Sequence, residues 1–143
     1  MESMHRVFVY GTLKRGYRNH HLLAHSVLIG RAYTASPYCM LDGEYPVLRD
    51  LGEDLSPVAG EIYEVDPQTL SALDELEGVA EGLYDRVEID VVQIAEGRQG
   101  ERKGRAFIYV GCAAHWDALG LSACVARDTK GHIDWPHPAK SSP

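Results

Sequence analysis

One clearly delimited helix lies among several strand-like segments, and this pattern constrains the fold more than any other feature of the sequence. Asp66 is a typical N-cap, Pro67 suits the first helical position, and Gly78 is suited to end the helix. Apolar and alternating segments predict strands at 6–10, 58–65, 87–91 and 106–110, with weaker strand signals at 27–34 and 38–41 and a short helix at 19–25. Mostly strands with one or two inserted helices predict a small mixed α/β barrel or curled sheet rather than regular βαβ winding.

Length and composition predict a single domain that spans residues 1–143. The chain has 143 residues, and single domains commonly have about 100–150 residues. No repeat or low-complexity linker divides the sequence, and 45% hydrophobic with 24% charged residues is typical of soluble globular proteins. The tail from about residue 130 is rich in Pro, Gly, Lys and Ser, so we expect it to be loosely held.

Charge and hydropathy exclude several classes of partner. The chain has 21 acidic and 14 basic residues and a net charge of −7, which argues against a nucleic-acid-binding surface because such surfaces need excess Lys and Arg. No segment has the about 7–15 apolar residues of a secretory signal or the about 20 of a membrane span. The sequence therefore predicts a cytoplasmic protein without a membrane or nucleic-acid partner. It gives no indication of the oligomeric state.

Neither the cysteines nor the histidines form a pattern typical of metal binding. The three cysteines are odd in number and widely spaced, with no CxxC pair, so they indicate neither a disulfide framework nor a zinc site. His21 and His25 have a helical i, i+4 spacing, but no HExxH glutamate or third ligand accompanies them. Phosphate-binding GxxxxGK[ST] and GxGxxG motifs do not occur either. We expect a protein without metal or cofactor.

Glu77 is the acidic residue whose position is least like a surface position. Leu70, Leu73 and Glu77 follow an i, i+3, i+7 spacing, which places the carboxyl on the apolar face of the predicted helix. Burial and the negative end of the helix dipole should both raise its pKa above about 4.3, towards the range of a general acid/base. The alternative is that Glu77 reaches solvent or pairs with Arg86. Two other acids of the helix are expected to face solvent or to cap it, Asp74 and Glu75.

A glycine turn follows the first strand, at Tyr10-Gly11-Thr12-Leu13. Such a turn exposes successive backbone N–H groups, which can hold a carboxylate or a developing oxyanion. The alternative is an ordinary turn that ends a strand.

Several motifs in combination resemble the γ-glutamylcyclotransferase-like superfamily, and within it most closely the γ-glutamylamine cyclotransferase/AIG2-like branch. These are VFVYGTLKRG at 7–16, NH at 19–20, GEIYEVD at 60–66, LDELE at 73–77 and YDR at 84–86. They lie in matching order from residue 7 to about residue 110. Their joint occurrence is far more specific than any one motif.

The resemblance implies a fold and an activity. The fold is of the α+β class, a small mixed β-barrel with flanking short helices, whose cavity holds a γ-glutamyl group. The activity is release of 5-oxoproline from a small γ-glutamyl substrate, favouring γ-glutamylamines, through attack of the substrate's own α-amine on its γ-carbonyl. The substrate supplies the nucleophile, so this chemistry needs neither a protein nucleophile nor a cofactor.

The resemblance also implies roles for individual residues. Glu77 matches the catalytic glutamate, the general acid/base. Positions implied to bind the substrate or to form the pocket are Tyr10, Gly11, Thr12, Leu13, Tyr45, Tyr84, Arg86 and Tyr109. The alternatives are a non-catalytic small-molecule-binding domain of the same fold, a cyclotransferase for a γ-glutamylated specialised metabolite, and a protein-interaction module. The last predicts that the turn and Glu77 lie far apart.

Overall fold

The computed structural model of the chain describes residues 4–11, 13–16, 19–41, 47–49, 55–94 and 101–112. These residues form seven strands, a 3₁₀ helix and an α-helix. In chain order the elements are β1 His5–Val9, the 3₁₀ helix His20–Leu23, β2 Val27–Thr34, β3 Cys39–Leu41, β4 Val47–Arg49, β5 Ala59–Val65, α1 Pro67–Leu76, β6 Tyr84–Ile94 and β7 Glu101–Gly111.

Five strands close into a small barrel in the order β1-β5-β2-β6-β7. Neighbouring strands are antiparallel except where the barrel closes, between β1 and β7, which are parallel at Val7 and Phe107. β6 and β7 form a hairpin whose register runs from Tyr84 opposite Gly111 to Ile94 opposite Glu101. β3 and β4 form a separate two-stranded sheet. This confirms the predicted α+β fold, a small mixed β-barrel with short helices.

The predicted helix is confirmed at both ends. The Asp66 carboxylate accepts a hydrogen bond from the backbone N–H of Thr69 at 2.7 Å, and Pro67 occupies the first turn. Gly78 follows the helix with a positive φ of 66°. The N–H of Val79 donates to the Asp74 carbonyl at 3.1 Å, and the N–H of Gly78 to that of Glu75 at 3.2 Å. This pair of bonds is a Schellman ending, which requires the left-handed backbone that glycine adopts readily.

Some predicted bounds were wrong. The segment expected to be a short helix at 19–25 is a 3₁₀ helix of four residues, His20–Leu23. β6 and β7 have 11 residues each and are longer than predicted, and β4 had no counterpart among the expected strands. Cys39 is disulfide-bonded, which the number and spacing of the cysteines did not indicate.

The core has two parts on opposite faces of the strands. All five barrel strands contribute to the first part, which therefore fills the barrel interior; its members include Phe8, Ala32, Ile62, Val91 and Ile108. The second part lies between the barrel wall and the helices and includes Val7, Val9, Leu23, Leu70, Leu73 and Tyr109. Because alternate residues of a strand face opposite sides, β1 contributes to both. This packing fixes α1 against the outside of the barrel.

Neither helix among the described residues has the length and apolar character needed to span a membrane.

Candidate active site

Glu77 lies at the end of α1, one residue beyond the last helical position. Its backbone N–H donates to the carbonyl of Leu73 at 2.9 Å, and both leucines one and two turns earlier on this face, Leu70 and Leu73, are buried. Glu77 itself is partly buried. Burial raises the pKa of its carboxyl from 4.5 to about 7 because a low-dielectric surrounding disfavours the charged form. The raised pKa predicted from the spacing is confirmed.

Arg86 does not pair with Glu77. Its Nη1 lies 2.9 Å from Oδ2 of Asp74, and its guanidinium stacks over the Phe107 ring, 4.8 Å from the centroid. The charge of Arg86 is therefore balanced by another acid. The alternative in which Glu77 and Arg86 form an ion pair was wrong.

Two buried tyrosines, Tyr10 and Tyr109, lie close enough to the Glu77 carboxyl for its charge to act on them, and a third buried tyrosine, Tyr84, lies near Tyr10. The hydroxyl of Tyr10 donates to the backbone carbonyl of Tyr109 at 2.5 Å. Burial raises the pKa of Tyr10 well above its usual range, and the nearby Tyr84 and Glu77 raise it further. Burial, the Asp74 hydrogen bond and, among smaller effects, the charge of Glu77 also raise the pKa of Tyr109. Because the charge of Glu77 acts on both hydroxyls, all four side chains share one neighbourhood.

Tyr10 is also the first residue of the predicted glycine turn. The N–H of Lys14 donates to the carbonyl of Gly11 at 3.0 Å, which closes this turn. Leu13 is buried in the same part of the core as Leu73. The end of β1 and the end of α1 thus meet on one side of the barrel, rather than far apart as an interaction module would predict.

Contacts from β5 and the 3₁₀ helix hold the far end of this turn. The N–H of Arg15 donates to Oε1 of Glu61 at 2.9 Å, and the same oxygen accepts the hydroxyl of Tyr63 at 3.0 Å. Nδ1 of His20 lies 3.0 Å from the carbonyl oxygen of Leu13. The N–H groups of Lys14 and Arg15 are therefore committed to protein oxygens. An anion at the turn would have to use N–H groups that precede Lys14.

The role predicted for Asp74 was wrong. This residue does not merely face solvent or cap the helix, because Oδ1 accepts the hydroxyl of Tyr109 at 2.7 Å and Oδ2 accepts Nη1 of Arg86 at 2.9 Å. The side chains of Arg86 and Asp74 are 29% and 30% exposed. The two hydrogen-bond partners of Asp74 lie 12 and 35 positions further along the chain, so no local pattern could have identified them.

Two of the predicted site residues, Thr12 and Tyr45, lie outside the described residues, as does the tail beyond residue 112. Within the described part of the chain, no three or more His, Cys, Asp or Glu side chains are grouped so that they could hold a metal ion.

Comparison with known proteins gives a family match over most of the chain. Residues 7–123 match the family model described as γ-glutamyl cyclotransferase, AIG2-like. The chain is 49% identical over 76 residues to a protein from Vibrio cholerae, covering 52% of this chain and 64% of that one. It is 40% identical over 111 residues to γ-glutamylaminecyclotransferase from Bos taurus, covering 72% of this chain and 63% of that protein. The chain thus spans just under two thirds of the length of these two relatives.

Solved structures agree with this match. The crystal structure of an AIG2-like protein from Mus musculus superposes with a TM-score of 0.67 at 31% sequence identity. The superposition covers 94% of this chain and 97% of that one.

Proposed function

Because this chain belongs to the γ-glutamyl cyclotransferase, AIG2-like family, we propose that it releases 5-oxoproline from γ-glutamyl compounds, with γ-glutamylamines as the preferred substrates. The family match supports the reaction, and the similarity to a protein named γ-glutamylaminecyclotransferase supports the amine. The observation that carries the proposal is the partly buried Glu77 carboxyl, whose pKa of about 7 suits proton transfer in both directions near neutrality.

The proposed reaction is intramolecular. The nitrogen of the substrate's α-amine attacks the γ-carbonyl carbon and forms a tetrahedral intermediate with a negatively charged oxygen. The bond from this carbon to the departing nitrogen then breaks, which leaves 5-oxoproline and a free amine. Correct alignment of such a reaction can lower its barrier by about 7–11 kcal/mol, so positioning the substrate is a major part of the catalysis.

Glu77 would handle the proton that this reaction moves. In its ionised form the carboxylate takes a proton from the α-ammonium, which frees the lone pair for attack. In its protonated form it then gives that proton to the departing nitrogen. The ring nitrogen loses a second proton as the lactam forms, and this proton also passes to the departing amine, which leaves as an ammonium ion. The carboxylate is restored, and no net proton is gained or lost. A pKa near 7 keeps both forms accessible.

The turn after β1 would hold the negative charge of the substrate. Backbone N–H groups in the Gly11–Leu13 segment can bind either the α-carboxylate or the oxyanion of the tetrahedral intermediate. In this arrangement Tyr84 and Tyr109 form the wall beside Glu77, and Arg86 supports the pocket through its ion pair with Asp74 rather than by touching the substrate.

The experiment is an assay of 5-oxoproline release by the wild-type protein across γ-glutamylamines, γ-glutamyl amino acids and glutathione. We expect turnover of at least one γ-glutamylamine, with kcat/KM at least tenfold above that for glutathione. Absence of release from every compound would refute the enzymatic function. If 5-oxoproline then still bound, the chain would be a small-molecule-binding domain of the same fold.

A further inference from the structure

Asp74 forms a junction between the last turn of α1 and the β6/β7 hairpin. Its carboxylate accepts one hydrogen bond from the Tyr109 hydroxyl and one from the Arg86 guanidinium, at 2.7 and 2.9 Å. Arg86 and Tyr109 are opposite each other in the hairpin, so both donors come from one cross-strand pair. The Phe107 ring supports the guanidinium. The junction therefore joins three elements through one carboxylate.

Tyr109 extends this junction to the turn that follows β1. Its hydroxyl donates to Asp74, and its backbone carbonyl accepts the hydroxyl of Tyr10. Hydrogen bonds thus connect Tyr10, at the start of the turn, through Tyr109 to Asp74, in the last turn of α1 just before Glu77. The two parts of the candidate site are connected through Asp74.

The end of a helix is where such a connection matters most. Helix ends lack part of their backbone hydrogen bonding and fray readily. In this chain the Schellman bonds to Asp74 and Glu75 fix the local backbone path around Glu77. The side chain of Asp74, three residues before Glu77, ties that path to the strands.

We propose that Asp74 is a positioning residue, which holds the last turn of α1 and therefore the Glu77 carboxyl in place relative to the turn after β1. This inference rests on the proposed function. Asp74 acts through Tyr109 and Arg86 and does not touch the reacting atoms. Because a displacement of about 1 Å can lower a rate by about 100-fold, loosening the junction should lower kcat and leave KM nearly unchanged.

The test compares Asp74→Ala, Tyr109→Phe and the double variant with Glu88→Gln as a matched control. Glu88 is exposed and lies 3.7 Å from Arg105 on the same hairpin, so its substitution also removes an acid from an ion pair. We expect each single variant to lower kcat at least tenfold with KM within twofold, and Glu88→Gln to change kcat less than twofold. The kcat of the double variant should be no lower than that of Asp74→Ala, because both substitutions break the same hydrogen bond.

Hydrogen exchange at the backbone amide of Glu77 provides a readout that does not depend on turnover. We expect exchange at least tenfold faster in Asp74→Ala, and unchanged exchange in Glu88→Gln. If Asp74→Ala does not fold, Tyr109→Phe takes its place in both measurements. The inference is overturned if kcat stays within twofold of wild type, if Glu88→Gln loses as much, or if exchange is unchanged. Absence of 5-oxoproline release by the wild type refutes the proposed function instead, and the exchange rates still decide whether Asp74 holds the helix end.

Discussion

Replacing Glu77 with glutamine should change how stability depends on pH. The pKa of the Glu77 carboxyl rises from 4.5 to about 7 on folding, so the folded protein binds this proton more tightly than the unfolded chain. The contribution of this carboxyl to the free energy of unfolding is therefore greatest below pH 4.5, falls as the pH rises towards 7, and is constant above pH 7. A tenfold difference in proton affinity corresponds to about 1.4 kcal/mol, so the ionised carboxyl costs the folded protein about 3 kcal/mol.

Glutamine keeps the shape of the side chain but binds no proton, so the variant avoids this cost. We compare the free energy of unfolding of Glu77→Gln with that of wild type by urea denaturation at pH 4 and at pH 8. The difference, variant minus wild type, should be about 3 kcal/mol larger at pH 8 than at pH 4. Glu75→Gln is the matched control, because Glu75 is exposed on the same helix. For this variant the difference in free energy of unfolding from wild type should change by less than about 0.5 kcal/mol between the two pH values. A difference for Glu77→Gln that is equal at both pH values, or larger at pH 4, would refute the burial argument.

Other perturbations test the pH dependence of the reaction and the backbone near the site. With Glu77 as the base, kcat/KM should fall about tenfold per pH unit below pH 7; a rate that declines only near pH 4.5 would contradict this. Gly60→Ala would place a Cβ 2.4 Å from the carbonyl oxygen of Val9, so the free energy of unfolding in urea should fall by about 2 kcal/mol or more. Gly104→Ala is the control, because the nearest atom to its Cβ would be 3.8 Å away, and it should lower the free energy of unfolding by less than about 0.5 kcal/mol. Gly78→Ala imposes a φ of 66° on a residue with a Cβ and should cost about 1–2 kcal/mol; an unchanged Tm would show that the helix ending needs no glycine.

The helix was the element that the sequence predicted best, because both of its ends depend on near neighbours. The Asp66 cap bonds a residue three positions later, and the turn at Gly78 depends on its own φ and on bonds to residues within five positions. Caps and glycine turns are local chemistry, so their sequence pattern is sufficient to place them.

The strand ends were predicted less well, because pairing with a distant partner decides where a strand stops. The segment 101–105 has charged residues and glycine rather than a strand pattern, yet it extends β7 because each residue pairs with one of β6. Backbone hydrogen bonds to the partner strand outweigh weak local preference here.

Glu77 and Asp74 also differ in how far their roles could be predicted from neighbouring residues. Glu77 could be found from the sequence because its apolar neighbours, Leu70 and Leu73, lie within two turns of the same helix. The role of Asp74 could not, because its hydrogen-bond donors Tyr109 and Arg86 come from two later strands. Spacing along a helix shows which face a residue occupies, whereas its partners depend on how the barrel closes.

The role of Glu77 is tested most directly by measuring 5-oxoproline release by Glu77→Gln, compared with wild type and Glu75→Gln on the best γ-glutamylamine substrate. If Glu77 transfers the proton, the variant should fold, and its release should fall at least about 100-fold, the lower range for loss of a general acid/base. Glu75→Gln should stay within twofold of wild type. Retention of more than about a tenth of the wild-type rate by Glu77→Gln would contradict the assignment of Glu77 as the proton-transfer group.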